Sequence, residues 1–246
     1  DGNNIPAVAV SPVGADMLSQ WLDTDPDLKL YLRTTSWQAP DAPSANVIGE
    51  IRGTHFPEQI ITVGGHLDAW DNSPGAHDNG GGCMQSIEVL RLFQELGIRP
   101  KRTIRAVTFM DEEIAQRGGN AYALMAHQQG EQHYFAIESD RGVFTPRGFS
   151  VDAPEHKLAA IQSLAGYFRP WGIHEIHAGG SGVDIEPLKQ YFSMSLAGLV
   201  TDSQRYFDLH HAPTDTFDKV NRREMQLGSA AMAALIYLID HLDLLD

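Results

Sequence analysis

Cysteine and long apolar runs are nearly absent from this sequence. Cys83 is the single cysteine, so no disulfide can form within the chain and the cysteine content does not reveal the redox compartment. It lies in an apolar helical pattern, which favours a small buried hydrophobic residue over a nucleophile. No uninterrupted apolar stretch is long enough to cross a bilayer. The sequence therefore excludes a disulfide-stapled fold and predicts no membrane span.

Basic residues are also scarce. Lys and Arg number 18 against 32 Asp and Glu, which gives a net charge of −14. This balance argues against a nucleic-acid partner, which needs clustered basic side chains. The acid excess is compatible both with solubility and with cation binding. A chain of 246 residues with 42% hydrophobic content has the size and the core-forming capacity of an α/β enzyme.

Strand-like and helix-like segments alternate from residue 46 onward. Apolar runs predict strands over residues 47–51, 60–66, 104–110, 133–138, 173–177 and 194–200. Helical spacing predicts helices over residues 80–96, 119–127, 156–168, 184–191 and from 221 to the end. Such alternation is typical of a sheet covered by helices on both faces. We therefore expect a three-layer α/β/α fold with a mixed, mainly parallel central sheet.

The first 45 residues are less regular. We expect a short helix over residues 14–22, a strand over 28–33 from its alternating pattern, and a linker rich in Pro, Ala and Asp over 39–45. The predicted organisation is an N-terminal segment, residues 1–45, followed by a catalytic domain, residues 46–246.

Acidic and imidazole side chains collect where the predicted strands end or in loops. Ligands of open α/β sheets bind at the carboxyl ends of strands, and zinc takes His nitrogen and carboxylate oxygen. Carboxylates sharing one cavity would raise one another's pKa values by repulsion, and two divalent cations would remove that penalty. We therefore expect the following residues to converge on metal: His66, Asp68, Asp78, Glu112, Glu113, Asp140 and His211.

Some roles follow from position alone. Asp78 lies in a glycine-rich turn, where the backbone can approach an ion closely, and paired zinc ions need a bridging carboxylate. Asp68 can accept the second N–H of His66 and set its tautomer. Of the adjacent Glu112 and Glu113, one can bind metal while the other acts as general base.

Six motifs together resemble the zinc-dependent exopeptidases that include bacterial leucyl aminopeptidases and plasma glutamate carboxypeptidase. The resemblance covers roughly residues 46–246 and is carried by residues 65–71, 75–82, 99–105, 111–113, 138–142 and 210–216. It implies a zinc-exopeptidase (phosphorylase/hydrolase-like) fold and two zinc ions per chain. It also implies that the opening segment is the remnant of a protease-associated domain, and that the protein is exported to the periplasm or outside the cell.

The resemblance also implies a role for each matching residue. His66 and Asp140 would hold one zinc, Glu113 and His211 the other, and Asp78 would bridge them. Glu112 would be general base and then proton donor to the leaving amine, while Asp68 would orient His66. A cis peptide would join Asp78 to Asn79. The family usually has Asp where this chain has Asn79, and residues 114–119 also depart from its pattern, which leaves the pocket shape open.

Two further residues are weaker candidates for substrate binding. Tyr206 can donate a hydrogen bond to a tetrahedral oxyanion, although a tyrosine of the core or rim fits its position too. Asp184 can meet a substrate amino group or can cap the helix after it. His77 and His210 neighbour proposed ligands, and we interpret both as pocket or packing residues.

The motifs and the resemblance together predict a metal-dependent exopeptidase, an aminopeptidase or dipeptidase. It would hydrolyse peptide bonds near a free N-terminus with a water activated by two zinc ions. One alternative is a single-zinc glutaminyl cyclase, which metal stoichiometry would distinguish. Another is a non-catalytic binding module with a degenerate site, favoured only by Asn79. The expected partner is a peptide substrate. The sequence does not determine the oligomeric state, and a homodimer is compatible with it.

Overall fold

The chain divides into two compact units. The structure is a computed structural model that describes residue 5, residues 7–35, residue 37 and residues 39–246. The units are Asp1–Pro43 and Ser44–Asp246. The origin of the first unit in a protease-associated domain stays a prediction. None of the helices in the described part of the chain combines the length and apolar character that a bilayer span requires.

In the described residues of the N-terminal unit there is one helix, α1 (Pro12–Thr24). Ser11 caps it by accepting a hydrogen bond from the Gly14 N–H at 3.1 Å, and Pro12 occupies the first helical turn, where its missing N–H is not needed. The predicted strand over residues 28–33 is wrong, because these residues form no strand. An alternating apolar and polar pattern is not sufficient for a strand, because a strand also needs a neighbouring strand with which its backbone can form hydrogen bonds.

The second unit is built on a seven-stranded sheet. Its strands are β1 (Val47–Ile51), β2 (Phe56–His66), β3 (Arg102–Phe109), β4 (Gln132–Glu138), β5 (Pro146–Asp152), β6 (Glu175–Ala178) and β7 (Ser195–Thr201). They lie in the order β1-β3-β2-β4-β7-β5-β6. The four central strands are parallel, whereas β1 runs antiparallel to β3 and β5 antiparallel to β7. The predicted mixed, mainly parallel sheet is confirmed.

Helices cover both faces of this sheet. They are α2 (Gly81–Glu95), α3 (Arg117–Gln128), α4 (Glu155–Gln162), α5 (Ala165–Phe168) and α6 (Arg222–His241). Buried side chains of α2 and α6, such as Phe93 and Ile236, pack with Ile61 in one core. Buried side chains of α3, such as Tyr122, pack with Phe109 in a second core. Two apolar cores on one sheet make the three-layer α/β/α architecture.

Strand β5 was not predicted from the sequence. It begins at Pro146 and contains Gly148, two residues that weaken a strand pattern. The structure explains the glycine, because a Cβ at position 148 would lie 1.9 Å from the Glu175 carbonyl oxygen of the neighbouring β6. Close approach of the two backbones therefore requires a residue without a side chain here.

Several helix boundaries differ from those predicted. The segment expected as one helix over residues 156–168 divides into α4 and α5, and that over 184–191 is a 3-10 helix, Glu186–Gln190. Asn221 caps α6, since its Oδ1 accepts from the N–H groups of Arg223 and Glu224 at 2.9 and 3.2 Å. The Glu224 side chain accepts a hydrogen bond from Thr145 Oγ1 at 2.7 Å.

The carboxyl ends of the central strands meet at one edge of the sheet. In the strand register, His66 at the end of β2 lies opposite Phe109 at the end of β3. Gly64 lies opposite Glu138, the last residue of β4. The loops that follow these three strands therefore start side by side, which is the usual location of a ligand site in an open α/β sheet.

The buried guanidinium of Arg105, in β3, is held by carboxylates at both sides. Its two terminal nitrogens donate to Glu131 at 2.9 and 3.0 Å, and Nε donates to Glu50 at 3.0 Å. Burial alone would raise the pKa of Glu131, but hydrogen bonds from His133 and Arg105 outweigh it and lower the pKa to about 2. The pair therefore stabilises the fold at neutral pH.

We expect Glu131→Gln to lower the free energy of unfolding by about 2 kcal/mol at pH 7, because Arg105 loses its charged hydrogen bonds to Glu131 and keeps only the more exposed Glu50 as a carboxylate partner. The pKa of Glu131 is lower in the folded state than in the unfolded state. The stabilisation that Glu131 contributes is therefore complete above its unfolded pKa of about 4.3 and is lost as the pH falls toward 2. Denaturant titrations at pH 7 and pH 3 measure this. The control Glu88→Gln breaks an exposed pair with Arg91 and should cost at most about 0.5 kcal/mol. Equal losses in the two variants would contradict the prediction.

Candidate metal centre

His66 is the centre of one group of ligands. It is fully buried at the end of β2, and its Nε2 lies 3.1 Å from Asp78 Oδ1 and 3.2 Å from Asp140 Oδ1. Glu112 Oε2 lies 3.8 Å from the same nitrogen. His66 ends β2, and the other three residues lie in the loops that follow β2, β3 and β4, so only the fold brings the four together.

His211 forms a second group on the other side of Asp78. Its Nε2 lies 2.9 Å from Glu113 Oε2 and 3.5 Å from Asp78 Oδ2. Asp78 thus directs one carboxylate oxygen to His66 and the other to His211. A carboxylate that faces two imidazoles in this way can bridge two ions. The five residues that the family resemblance assigns as zinc ligands all lie in these two groups: His66, Asp78, Glu113, Asp140 and His211.

The turn that carries Asp78 is held by its backbone. Asp215 is fully buried, and its two carboxylate oxygens accept from the N–H groups of His77 at 2.8 Å and Asp78 at 3.0 Å. The peptide between Asp78 and Asn79 is cis, as the family resemblance implies. Gly75 has φ of +71°, and a Cβ there would lie 2.5 Å from the Ala69 Cβ, so this turn requires glycine.

Sequence reasoning missed Asp215. It lies in the last of the matching motifs, but an isolated acidic residue in a polar loop usually indicates solvated surface. The contact spans 137 residues of sequence, so local pattern could not have found it. The only available signal was its place in a motif.

Asn79 has a structural role of its own. Its side-chain amide donates to the Ser139 carbonyl oxygen at 2.9 Å, and its Oδ1 accepts from the Gly82 N–H at 3.1 Å. The residue therefore links the end of β4 to the first turn of α2. An aspartate here could accept from the Gly82 N–H but could not donate to the Ser139 carbonyl oxygen. Asparagine is therefore the residue that makes both hydrogen bonds.

Asp68 contacts the site in two ways. Its backbone carbonyl oxygen lies 2.9 Å from His66 Nδ1, closer than its carboxylate oxygen at 3.8 Å. The carboxylate accepts from the N–H groups of Glu112 at 3.1 Å and Glu113 at 3.2 Å. When His66 Nδ1 donates to this carbonyl, Nε2 is left for the ligand side. The carboxylate meanwhile positions the two glutamates.

Crowded charges shift the titration of the site. Burial favours a neutral His66, but hydrogen bonds to Asp140 and Asp78 outweigh it and raise its pKa to about 12. Burial, with further repulsion from Asp140 and Glu113, raises the pKa of Glu112 to about 7. Burial and the nearby Asp78 raise the pKa of Glu113 as well. A bound cation would reverse these carboxylate shifts.

The donor set fits zinc. Asp78 Oδ2 and Glu113 Oε1 are buried and accept no hydrogen bond from any described residue. Buried carboxylate oxygens without a partner are costly, and a cation between them would compensate. Imidazole nitrogen together with carboxylate oxygen is a common zinc ligand combination.

Aromatic rings enclose His211. The Trp70 ring stacks on it at 4.3 Å between centroids and the His210 ring at 3.7 Å. His210 Nε2 also lies 3.5 Å from Asp78 Oδ2, and His210, His211 and Asp78 form a group that could hold an ion. His210 therefore contacts the same carboxylate as His211. It is a further candidate ligand, in addition to the pocket or packing residue expected from the sequence.

The two candidate substrate residues differ in location. Tyr206 lines the same cavity of about 440 Å³ as Glu112 and His211. Burial, followed by the charges of Asp140 and Asp78, raises the pKa of Tyr206, which keeps its hydroxyl a donor. Asp184 is fully buried and does not line this cavity. Burial raises the pKa of Asp184 to about 8, and its carboxylate caps no helix.

We expect Asp215→Asn to weaken zinc binding about tenfold, because one of the two backbone amides that fix the Asp78 turn loses its carboxylate acceptor. Zinc affinity is measured by competition with a chromophoric chelator. Asp218→Asn is the matched control, since Asp218 lies three residues away and contacts Lys219 and Thr216 at the surface. Similar affinities in the two variants would show that Asp215 does not position the site.

Curated relatives and solved structures resemble this chain over most of its length. Carboxypeptidase Q of Bos taurus is 31% identical over 239 residues, which cover 97% of this chain and 50% of the relative. The chain thus spans about half the length of the curated relatives it matches. The crystal structure of a Peptidase M28 precursor from Shewanella amazonensis has a TM-score of 0.74 at 30% identity, covering 79% of this chain and 44% of that one.

A more distant structure agrees in fold. A zinc aminopeptidase from Bacillus subtilis superimposes with a TM-score of 0.61 at 18% identity, covering 78% of this chain and 49% of that one. The family model of Peptidase family M28 matches residues 46–236, the part of the chain that holds the sheet and both ligand groups. This chain belongs to Peptidase family M28.

Proposed function

We propose that this chain is the catalytic part of a metal-dependent exopeptidase, an aminopeptidase or dipeptidase that uses two zinc ions. His66 and Asp140 would hold one ion, Glu113 and His211 the other, and Asp78 would bridge them. The observation that carries the proposal is the position of Asp78, whose two oxygens face His66 at 3.1 Å and His211 at 3.5 Å. Family membership supports it independently.

Zinc, when bound, supplies a Lewis acid that lowers the pKa of water and polarises a carbonyl group. Glu112 does the proton transfer: its carboxylate takes a proton from the attacking water and later donates it to the leaving amine. Its position supports this role, because it lines the cavity and its backbone N–H is fixed by Asp68. Tyr206, in the same cavity, donates a hydrogen bond to the developing oxyanion.

The single-zinc glutaminyl cyclase is the less favoured alternative. One ion would need only the group around His66, whereas this chain also has the group around His211, where Glu113 Oε1 and Asp78 Oδ2 accept no hydrogen bond from a described residue. The complete set of ligands likewise disfavours a non-catalytic module. A peptide substrate and export of the protein are part of the proposal, and export rests on the family resemblance alone.

Glu112→Gln should keep its zinc and lose turnover by about 10²- to 10⁴-fold, because general acid–base catalysis contributes about that factor. Glu113→Gln is its matched neighbour and should instead lose metal, since Glu113 faces His211. Atomic emission gives the zinc content, and a panel of dipeptides and aminoacyl reporters gives the rate. Near-normal turnover in Glu112→Gln would remove this residue from the mechanism.

Metal removal gives a separate test. We expect two zinc ions per chain in the wild type and one in His211→Ala, which deletes a ligand of a single group. A strong chelator should abolish hydrolysis, and added zinc should restore it. Zinc content after dialysis is measured against protein concentration. One tightly bound ion in the wild type would favour the cyclase over the exopeptidase.

A further inference from the structure

Ser139 lies between the end of β4 and the ligand Asp140, and each of its polar groups is engaged. Its N–H donates to the Gly64 carbonyl oxygen at 3.0 Å, and its own carbonyl oxygen accepts from the Asn79 amide at 2.9 Å. Its hydroxyl donates to Gln85 Oε1, on α2, at 2.6 Å. Because the chain leaves the sheet at this buried serine, the three hydrogen bonds set the direction in which Asp140 continues.

The side-chain amide of Gln85 links this serine to a second helix. Gln85 is fully buried, and the two ends of its amide have different partners. Its Oε1 accepts from the Ser139 hydroxyl, and its Nε2 donates to the Met225 carbonyl oxygen, in the first turn of α6, at 3.1 Å. The amide keeps one orientation, because turning it over would place Oε1 against the Met225 carbonyl oxygen. The Ser139 hydroxyl is therefore held from α6 through α2.

Two helix glycines make room for this contact. A Cβ at Gly228, in α6, would lie 2.1 Å from Gln85 Nε2. A Cβ at Gly82, in α2, would lie 2.1 Å from the Ser139 carbonyl oxygen. Glycine within a helix is destabilising relative to alanine. Each helix therefore contains a destabilising residue at the point where Gln85 and Ser139 need space, which indicates that the fold is arranged to keep them together.

Asp140 is the ligand whose direction this contact sets. Its Oδ1 lies 3.2 Å from His66 Nε2, and this oxygen is buried without a hydrogen bond from any described residue. Within the described chain, the side-chain hydrogen bonds of Gln85 go to Ser139 and to α6, and none goes to the loops of the His211 group. An effect that passes through Asp140 should therefore be confined to the ion beside His66.

We propose that Gln85 is a positioning residue, which fixes Ser139 and thereby holds Asp140 toward the zinc ion of the His66 group. The inference rests on the proposed function, because it takes Asp140 as a zinc ligand. Gln85 is not itself among the candidate ligands and acts through the serine hydroxyl. Residues that support a metal ligand change metal affinity by about 10- to 100-fold. We expect the lower end of this range, because Gln85 bonds to the neighbour of the ligand.

The test measures zinc affinity in two backgrounds that each keep one group of ligands. His211→Ala keeps the group around His66, and Asp140→Ala keeps the group around His211. Gln85→Met has a similar volume and removes both hydrogen bonds of the amide. It should weaken zinc binding about tenfold in the His211→Ala background. In the Asp140→Ala background the change should stay within about twofold, as for independent sites. Competition with a chromophoric chelator gives both affinities.

Ser139→Ala removes the same hydrogen bond from its other end. In the His211→Ala background it should weaken zinc binding as much as Gln85→Met does, and the two changes together should weaken it no further, because they remove one shared interaction. If Gln85→Met does not fold, Ser139→Ala decides alone. Ser86→Ala is the matched control on α2, since its buried hydroxyl donates to the Gly82 carbonyl oxygen of the same helix at 2.9 Å. It should change neither affinity.

An equal loss of affinity in the two backgrounds would overturn the positioning role, because the effect would then be a general one on the domain. Unchanged affinity in the His211→Ala background would overturn it too, as would an equal loss in Ser86→Ala. These outcomes leave the proposed exopeptidase standing. The expected affinities, combined with a zinc-loaded wild type that hydrolyses no peptide, would instead support the role of Gln85 and refute the exopeptidase.

Discussion

Mutual repulsion among buried and partly buried carboxylates is the constraint on which the structure of this site depends. Asp78, Glu112, Glu113 and Asp140 lie within reach of two imidazoles at one edge of the sheet, and burial with like charges raises the pKa of Glu112 and Glu113. Such a group is unfavourable without cations. The protein therefore has to hold its ligands in place while they repel one another, and the surrounding loops do this through backbone hydrogen bonds.

The loops fix the ligands mainly by means of backbone amides. The carboxylate of Asp215 holds the turn that carries Asp78, and the carboxylate of Asp68 holds the start of the Glu112–Glu113 turn. Asn79 is a neutral residue that both donates and accepts, and so links Ser139 to Gly82. Each of these side chains orders a ligand without itself taking a place among the nitrogen and oxygen atoms that face the ions, which is how supporting residues usually tune a metal site.

One part of the chain contains all of the described candidate metal ligands. The chain spans about half the length of its curated relatives. The sheet and both ligand groups nevertheless lie within residues 46–236, the part that matches the family model.

The sequence by itself determined the alternation of strands and helices, the parallel centre of the sheet and the residues that meet at its carboxyl edge. These depend on local hydrophobic periodicity and on short motifs, which are written in neighbouring residues. Only the tertiary structure decided the strand β5, the failure of residues 28–33 to form a strand, and the parts played by Asp215 and by the Asp68 carboxylate. Each of these depends on a partner distant in sequence, such as the β6 carbonyl that excludes a side chain at Gly148. No local pattern records such a partner.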